Sequence, residues 1–141
     1  MIQIDVQSIL HNVRELRRIL GPKVKLCCVV KGDGYGCGDV RMTRVLEQYA
    51  DVDMVAVAVL DEARHLRDSG VTLPILVLCD IEDSDARDVV RYDLIPSIYR
   101  LEFARRLNAM AEGKRIPVHV RLDVCAGSPG MPGRDFLALL P

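Results

Sequence analysis

The chain has 141 residues, with 19 Lys+Arg against 20 Asp+Glu and a formal net charge of −1. Half the residues are hydrophobic, which excludes a disordered chain, and the missing basic excess argues against nucleic-acid binding. No apolar run approaches the roughly 20 residues that a bilayer-spanning helix needs, and Met1–Asp5 lacks the basic region that opens a secretory signal. About 140 residues can bury a real core in one domain. With 4% aromatics and no Trp, that core is expected to be aliphatic.

Val6, Ile9, Leu10, Val13, Leu16 and Leu20 recur at helical spacing, Asp5 can cap the helix, and Gly21-Pro22 supplies a stop. Val24–Val30 then reads as a strand, followed by the glycine-rich run from Gly32 to Gly38. Asp39 can cap a second helix carrying Val40, Val45, Leu46 and Tyr49. Met54–Leu60 reads as a strand and Asp61 as the cap of a helix ending near Gly70. Ile75–Leu78 is the third strand, Ser84–Arg91 a short helix, Leu94–Tyr99 a strand weakened by Pro96, and Leu101–Glu112 a helix stopped by Gly113. Val118–Val124 is the fifth strand. Beyond Asp123, Gly127–Gly133 is expected to hold neither helix nor strand, and Phe136–Leu140 is an apolar end.

Near-continuous Val/Ile/Leu runs separated by helices indicate a parallel sheet covered on its faces. Two architectures share this pattern. One is a complete open doubly wound domain; the other is the first part of a (β/α)8 barrel, which needs about 250 residues. The pattern by itself favours the complete domain, because chains that fold usually hold their own core.

The chemistry concentrates around Lys31, where an apolar strand meets a glycine-rich loop. Ligands of parallel α/β folds bind outside the carboxyl ends of the strands. A lysine half withdrawn from water there has its charged form disfavoured and becomes a better nucleophile. By type and position alone, a lysine emerging into solvent is the commoner case. The glycines stand at 32, 34, 36 and 38, so the G-x-G-x-x-G dinucleotide fingerprint fails, and the P-loop pattern is absent. A flexible loop that approaches a ligand and a plain turn both remain open. Five cysteines (Cys27, Cys28, Cys37, Cys79 and Cys125) include no C-x-x-C pair, so no structural zinc or other metal is expected. Reduced, mostly buried thiols in a cytoplasmic protein are expected.

Asp5, His11-Asn12, the run VVKGDGYGCG, the stretch Ala58–Ala63 and Pro74–Leu78, taken together and in order, resemble the N-terminal part of alanine racemase. The resemblance runs from Ile2 to about Asp123. It implies a partial (β/α)8 TIM-type barrel of about five parallel strands with helices outside, incomplete without its C-terminal half. Residues 1–123 would form this part and 124–141 a divergent tail. It also implies pyridoxal 5′-phosphate as cofactor and interconversion of L- and D-alanine or a close small amino acid such as serine. Lys31 then resembles the lysine that forms the internal aldimine and moves the α-proton on one face. Tyr35 resembles the tyrosine that reaches the cofactor phosphate, and Leu78 stands where the cofactor pocket is lined.

The fifth strand departs from the family pattern K-x-D-T-G-M-x-R-x-G. Arg121 stands in place of a lysine that is often carboxylated, with Asp123 behind it, and Ser128 falls at the arginine that touches cofactor and substrate. Arg134 takes that place only across a gap. Arg121 is expected to be satisfied by Asp123. The family's second base, a tyrosine from the partner subunit's β domain, has no counterpart. A truncated piece, inactive alone, is therefore expected, acting on a small amino acid as a homo-oligomer or in association with a C-terminal half, without nucleic acid or membrane. The rival is a non-catalytic pyridoxal-phosphate-binding or scaffold remnant that associates through open sheet edges. His65 is expected to be exposed and His119 to be a hydrogen-bonded core histidine. Arg14, Arg17, Arg18, Arg105 and Arg106 fit solvated helix faces.

Overall fold

The computed structural model describes residues 3–124 and 129–138. In chain order the elements are α1 (Val6–Leu20), β1 (Cys27–Val29), the turn-like α2 (Lys31–Gly36), α3 (Asp39–Tyr49), β2 (Met54–Val57), α4 (Leu60–Asp68), β3 (Ile75–Val77), a 3-10 turn (Asp83–Asp85), α5 (Ala86–Arg91), β4 (Ile95–Ile98), α6 (Leu101–Met110), β5 (His119–Val120) and α7 (Gly133–Leu137). The chain divides into two compact units, Met1–Ile75 and Leu76–Pro141. Among the described residues, no helix is long and apolar enough to cross a membrane.

In the first unit, the Asp5 carboxylate accepts the Gln7 and Ser8 N–H groups at 2.9 and 3.3 Å, satisfying donors that the first turn of α1 leaves free. Of the apolar stripe, Leu10 and Val13 are buried, while Leu16 and Leu20 stay exposed. Arg17 does not lie on a solvated face. Its side chain is only 15% exposed and its guanidinium binds Asp53 at 2.8 Å and the Asp51 carbonyl at 2.8 Å. The arginine is held there because it ties the end of α1 to the entry of β2. Its hydrogen bond, helped by the Leu26 N–H, holds the Asp53 carboxyl below its usual range. Strand β1 pairs in parallel with β2, Cys28 opposite Val55, and the Val55 N–H donates to Pro74 at the head of β3. Val55, Val57, Ala63 and Leu66 form a fully buried aliphatic centre. Glu47 on α3 accepts the N–H groups of Thr72 and Leu73 and the Thr72 hydroxyl, fixing the approach to β3. Burial opposes its charge, but these donors outweigh it and lower its carboxyl pKa.

In the second unit, β3 pairs with β4 and β4 with β5, both parallel. Pro96 lies inside β4 in register with Val77, so its missing N–H does not end the strand. Phe103 is fully buried with Val77, Val89 and Ile98. The strand order is β1-β2-β3-β4-β5. Sequential parallel order has no reversal point, which excludes the doubly wound alternative. The fold is five parallel strands with helices, as in part of a (β/α)8 barrel.

Of the run expected to hold neither helix nor strand, the described residues 129–132 hold neither, but Met131 makes an isolated bridge and a helix begins at Gly133. Leu122 bridges Met131, whose side chain is fully buried, and Met131 N–H donates to Arg121 at 2.7 Å. Gly130 permits this approach. A Cβ there would stand 2.6 Å from the Asp123 nitrogen and the Leu122 carbonyl carbon. Helix α7 follows directly.

Candidate functional site

Strand β1 delivers Lys31 to its carboxyl end. Val30 is buried and its N–H donates to Ala56 O at 2.8 Å. The next residues do not form a floppy glycine loop. Gly32, Asp33, Gly34 and Tyr35 all adopt left-handed helical angles, with φ between 54° and 61°. Each non-glycine residue in this region costs about 1–2 kcal/mol, and glycine at two of the four positions lowers the total. Gly34 has a second constraint, since a Cβ would meet the Asp39 nitrogen at 3.3 Å.

Polar bonds hold the turn. The Gly34 N–H returns to Val30 O at 2.9 Å and the Gly38 N–H to Asp33 O at 2.8 Å. Helix α3 starts at Asp39, with Gly38 at its N-cap; the Asp33 carboxylate accepts the Asp39 N–H at 3.1 Å and the Asp39 carboxylate accepts the Val40 N–H at 2.6 Å. The Gly32 N–H donates to Glu62 Oε1 at 2.7 Å. Glu62 lies in the family-like stretch Ala58–Ala63 but is given no role by the sequence; its local signal is its place three residues after the β2–α4 corner, where a carboxylate can accept free helix-start N–H groups.

Lys31 is half-buried and Tyr35 is 67% exposed. Among the described residues, neither the Lys31 ammonium nor the Tyr35 hydroxyl has a hydrogen-bond or ion-pair partner. The structure thus brings an unpaired amine and an unpaired phenol onto one hydrogen-bonded turn, four residues apart. Neighbouring Cys27 and Cys28 are half-buried free thiols whose pKa values burial pushes up, which makes them poor nucleophiles. Cys79 is exposed, against the expectation of a buried thiol, because it lies beyond the end of β3.

The other expected site residues belong to the second unit. Leu78 is half-buried just past β3, and its carbonyl accepts the Tyr99 hydroxyl at 2.7 Å. Arg100 binds Asp80 at 2.8 Å, Asp83 at 3.0 Å and Ile81 O at 2.9 Å, fixing the loop after β3. Arg121 is exposed and does not pair with Asp123. It donates to Pro129 O at 3.0 Å and stands over the Tyr99 ring at 5.9 Å, because the returning tail presents a carbonyl within reach. Asp123 is exposed, and its N–H is taken by Met131 O. Arg134 is exposed and lies 3.5 Å from the adjacent Asp135. Cys125 and Ser128 lie outside the described residues.

His65 is exposed as expected, 3.8 Å from Asp39. His119 is exposed instead of buried in a core, because β5 is only two residues long. An apolar hollow of about 600 Å³ is lined by Ile98, Leu107, Ile116, Val118, Val120 and Phe136, and by none of the expected site residues.

The family model for the alanine racemase N-terminal domain matches residues 4–140. Alanine racemase of Desulforamulus reducens is 35% identical over 139 residues, covering 96% of this chain and 37% of that protein. The serine/alanine racemase of Enterococcus gallinarum is 45% identical over 91 residues, covering 64% of this chain and 13% of that protein. The solved alanine racemase of Clostridium difficile 630 superposes with a TM-score of 0.82 at 31% identity, covering 94% of this chain and 36% of that one. The chain therefore spans little more than a third of the length of the alanine racemases from D. reducens and C. difficile. On the extent of the family match and the shared fold, this chain belongs to the alanine racemase family.

Proposed function

We propose that this chain is the lysine-bearing part of a pyridoxal-phosphate-dependent racemase acting on alanine or a similarly small amino acid such as serine. The observation that carries the reading is the unpaired, half-buried Lys31 amine at the end of β1, on a left-handed turn that also carries the unpaired Tyr35 hydroxyl. These residues fit the cofactor. An amine without an ion-pair partner is available to bond an aldehyde, and a phenol on the same turn is available to donate to a phosphate. When bound, the cofactor supplies the electron sink for a carbanion at the substrate α-carbon.

Lys31 Nζ would hold the cofactor and carry the α-proton on one face of the substrate. Tyr35 Oη would donate to the cofactor phosphate. Racemisation also needs a proton carrier on the opposite face, and this chain corresponds to 37% of the D. reducens racemase. Turnover is therefore expected only when the remainder of such an enzyme is supplied.

The test is complementation in trans. The chain is mixed with the C-terminal remainder of the D. reducens racemase, and D-alanine formed from L-alanine is measured, with Lys31→Ala as control. Racemisation that depends on Lys31 supports the proposal. Association of the two pieces without racemisation supports the scaffold reading instead.

A further inference from the structure

Three backbone N–H groups converge on one side chain that the racemase reading leaves without a task. Glu62 Oε1 accepts the Gly32 N–H at 2.7 Å, and Oε2 accepts those of Ala58 at 2.7 Å and Val59 at 3.2 Å. The Gly32 N–H belongs to the peptide unit whose carbonyl is that of Lys31, so this bond fixes the torsion that follows the Lys31 Cα. The turn's return bond from the Gly34 N–H to Val30 O spans Lys31 as well, but among the side-chain bonds it is Glu62 that acts directly on the peptide following the Lys31 Cα. On the preceding side, the Val30 N–H is fixed on Ala56 O. The main chain about Lys31 is thus held by Ala56 O, by the Gly34 N–H on Val30 O and by Glu62, and Glu62 alone of these is a side chain, itself locked to the segment that follows β2.

We propose that Glu62 is a positioning residue for Lys31, setting the direction in which the lysine side chain leaves the backbone. This rests on the racemase reading and deepens it: Glu62 acts through a peptide bond, not by touching cofactor or substrate. Both carboxylate oxygens are needed as acceptors. A glutamine keeps one acceptor oxygen and turns an NH2 group toward N–H donors, so it preserves one arm and loses the other.

The test compares covalent capture of pyridoxal phosphate at each lysine. The Lys31 amine condenses with the aldehyde carbon, water leaves, and hydride from borohydride reduces the resulting carbon–nitrogen double bond to a stable secondary amine. Mass mapping then compares Lys31 with Lys23, Lys25 and Lys114, the chain's other lysines. Amide exchange at Gly32 gives a second readout that does not involve the cofactor. Glu47→Ala is the control, since Glu47 also accepts three donors, but from Thr72 and Leu73.

Wild type should label first at Lys31. Glu62→Ala should slow Lys31 labelling about tenfold or more, the scale on which misplacing a reacting group acts, and Glu62→Gln should slow it partly, with faster Gly32 exchange in both. Labelling in Glu47→Ala should match wild type even where its melting temperature falls as far. Wild-type rates in both Glu62 variants, or an equal loss in Glu47→Ala, would overturn the positioning role while leaving the racemase reading intact. If Glu62→Ala does not fold, the glutamine variant decides by the same criterion. Absence of preference for Lys31 in the wild type would overturn both.

Discussion

The chain leaves β1 and β5 through segments of very different construction. After β1, four left-handed residues are held by carboxylates from Asp33 and Glu62 and by a return to Val30, and the groups left without a partner are an amine and a phenol. After the two-residue β5, the backbone is held by the returning tail at Met131, while the side chains of Arg121 and Asp123 face solvent. In the first case polar bonds to the main chain fix where a free functional group stands. In the second the polar side chains are spent on local contacts or left in water. In the role proposed for Lys31, bonds to the main chain place the amine without a partner that would have to be broken before it reacts.

This contrast can be tested by substitutions whose effects should differ in size. The largest loss is expected for Glu62→Ala, which strips the acceptor from three N–H groups at once and should cost about 2–3 kcal/mol in urea unfolding. A loss below that of an ordinary surface substitution would mean that water replaces the carboxylate without penalty. Next comes Gly34→Ala, where a side chain must enter the left-handed region against the Asp39 backbone, at a cost of about 1–2 kcal/mol. Thermal melting checks it, and a neutral result would mean that the turn is not held as described.

An acid titration sharpens the comparison from the opposite end of the first unit. The Asp53 carboxyl is lowered from 3.8, first by its hydrogen bond to Arg17, so its contribution is present above that value and is lost as the pH falls through the lower folded value. Wild type should lose stability below about pH 4. Asp53→Asn should be less stable at neutral pH and show a shallower decline over the same window; parallel pH profiles for the two proteins would contradict this. The smallest effect belongs to β5. Arg121→Ala removes one carbonyl contact and a ring contact at an exposed site and should cost about 0.5 kcal/mol. A loss as large as that of Glu62→Ala would abolish the distinction between the two segments.

What the sequence disclosed follows the same division. Helix α1 was legible because Asp5 caps it and Gly21 ends it through purely local chemistry. The strands were legible as apolar runs, but each is shorter than its run, since Val24 and Leu60 are apolar without being paired in the sheet. The apolar pattern favours the complete doubly wound domain, which the strand order contradicts, whereas the family resemblance implies the partial barrel that the strand order bears out. Lys31 stands out by its place at a strand end and, with Tyr35, through family motifs, whereas the left-handed turn is hidden because alternating glycines suit many loop conformations equally well. Glu62 was hidden for another reason, as its partner Gly32 lies thirty residues away in the chain. Arg17 and His119 were misjudged because amphipathic spacing tells which face a residue occupies, not whether a distant carboxylate or a strand end awaits it. The bridge at Met131 depends on a backbone approach to Gly130 that no periodicity encodes.

The most direct test of the central claim is a peptide map of the unmodified chain after exposure to pyridoxal phosphate and borohydride. The account predicts that the label lies on Lys31 well ahead of Lys23, Lys25 and Lys114. An even distribution over the four lysines would contradict it.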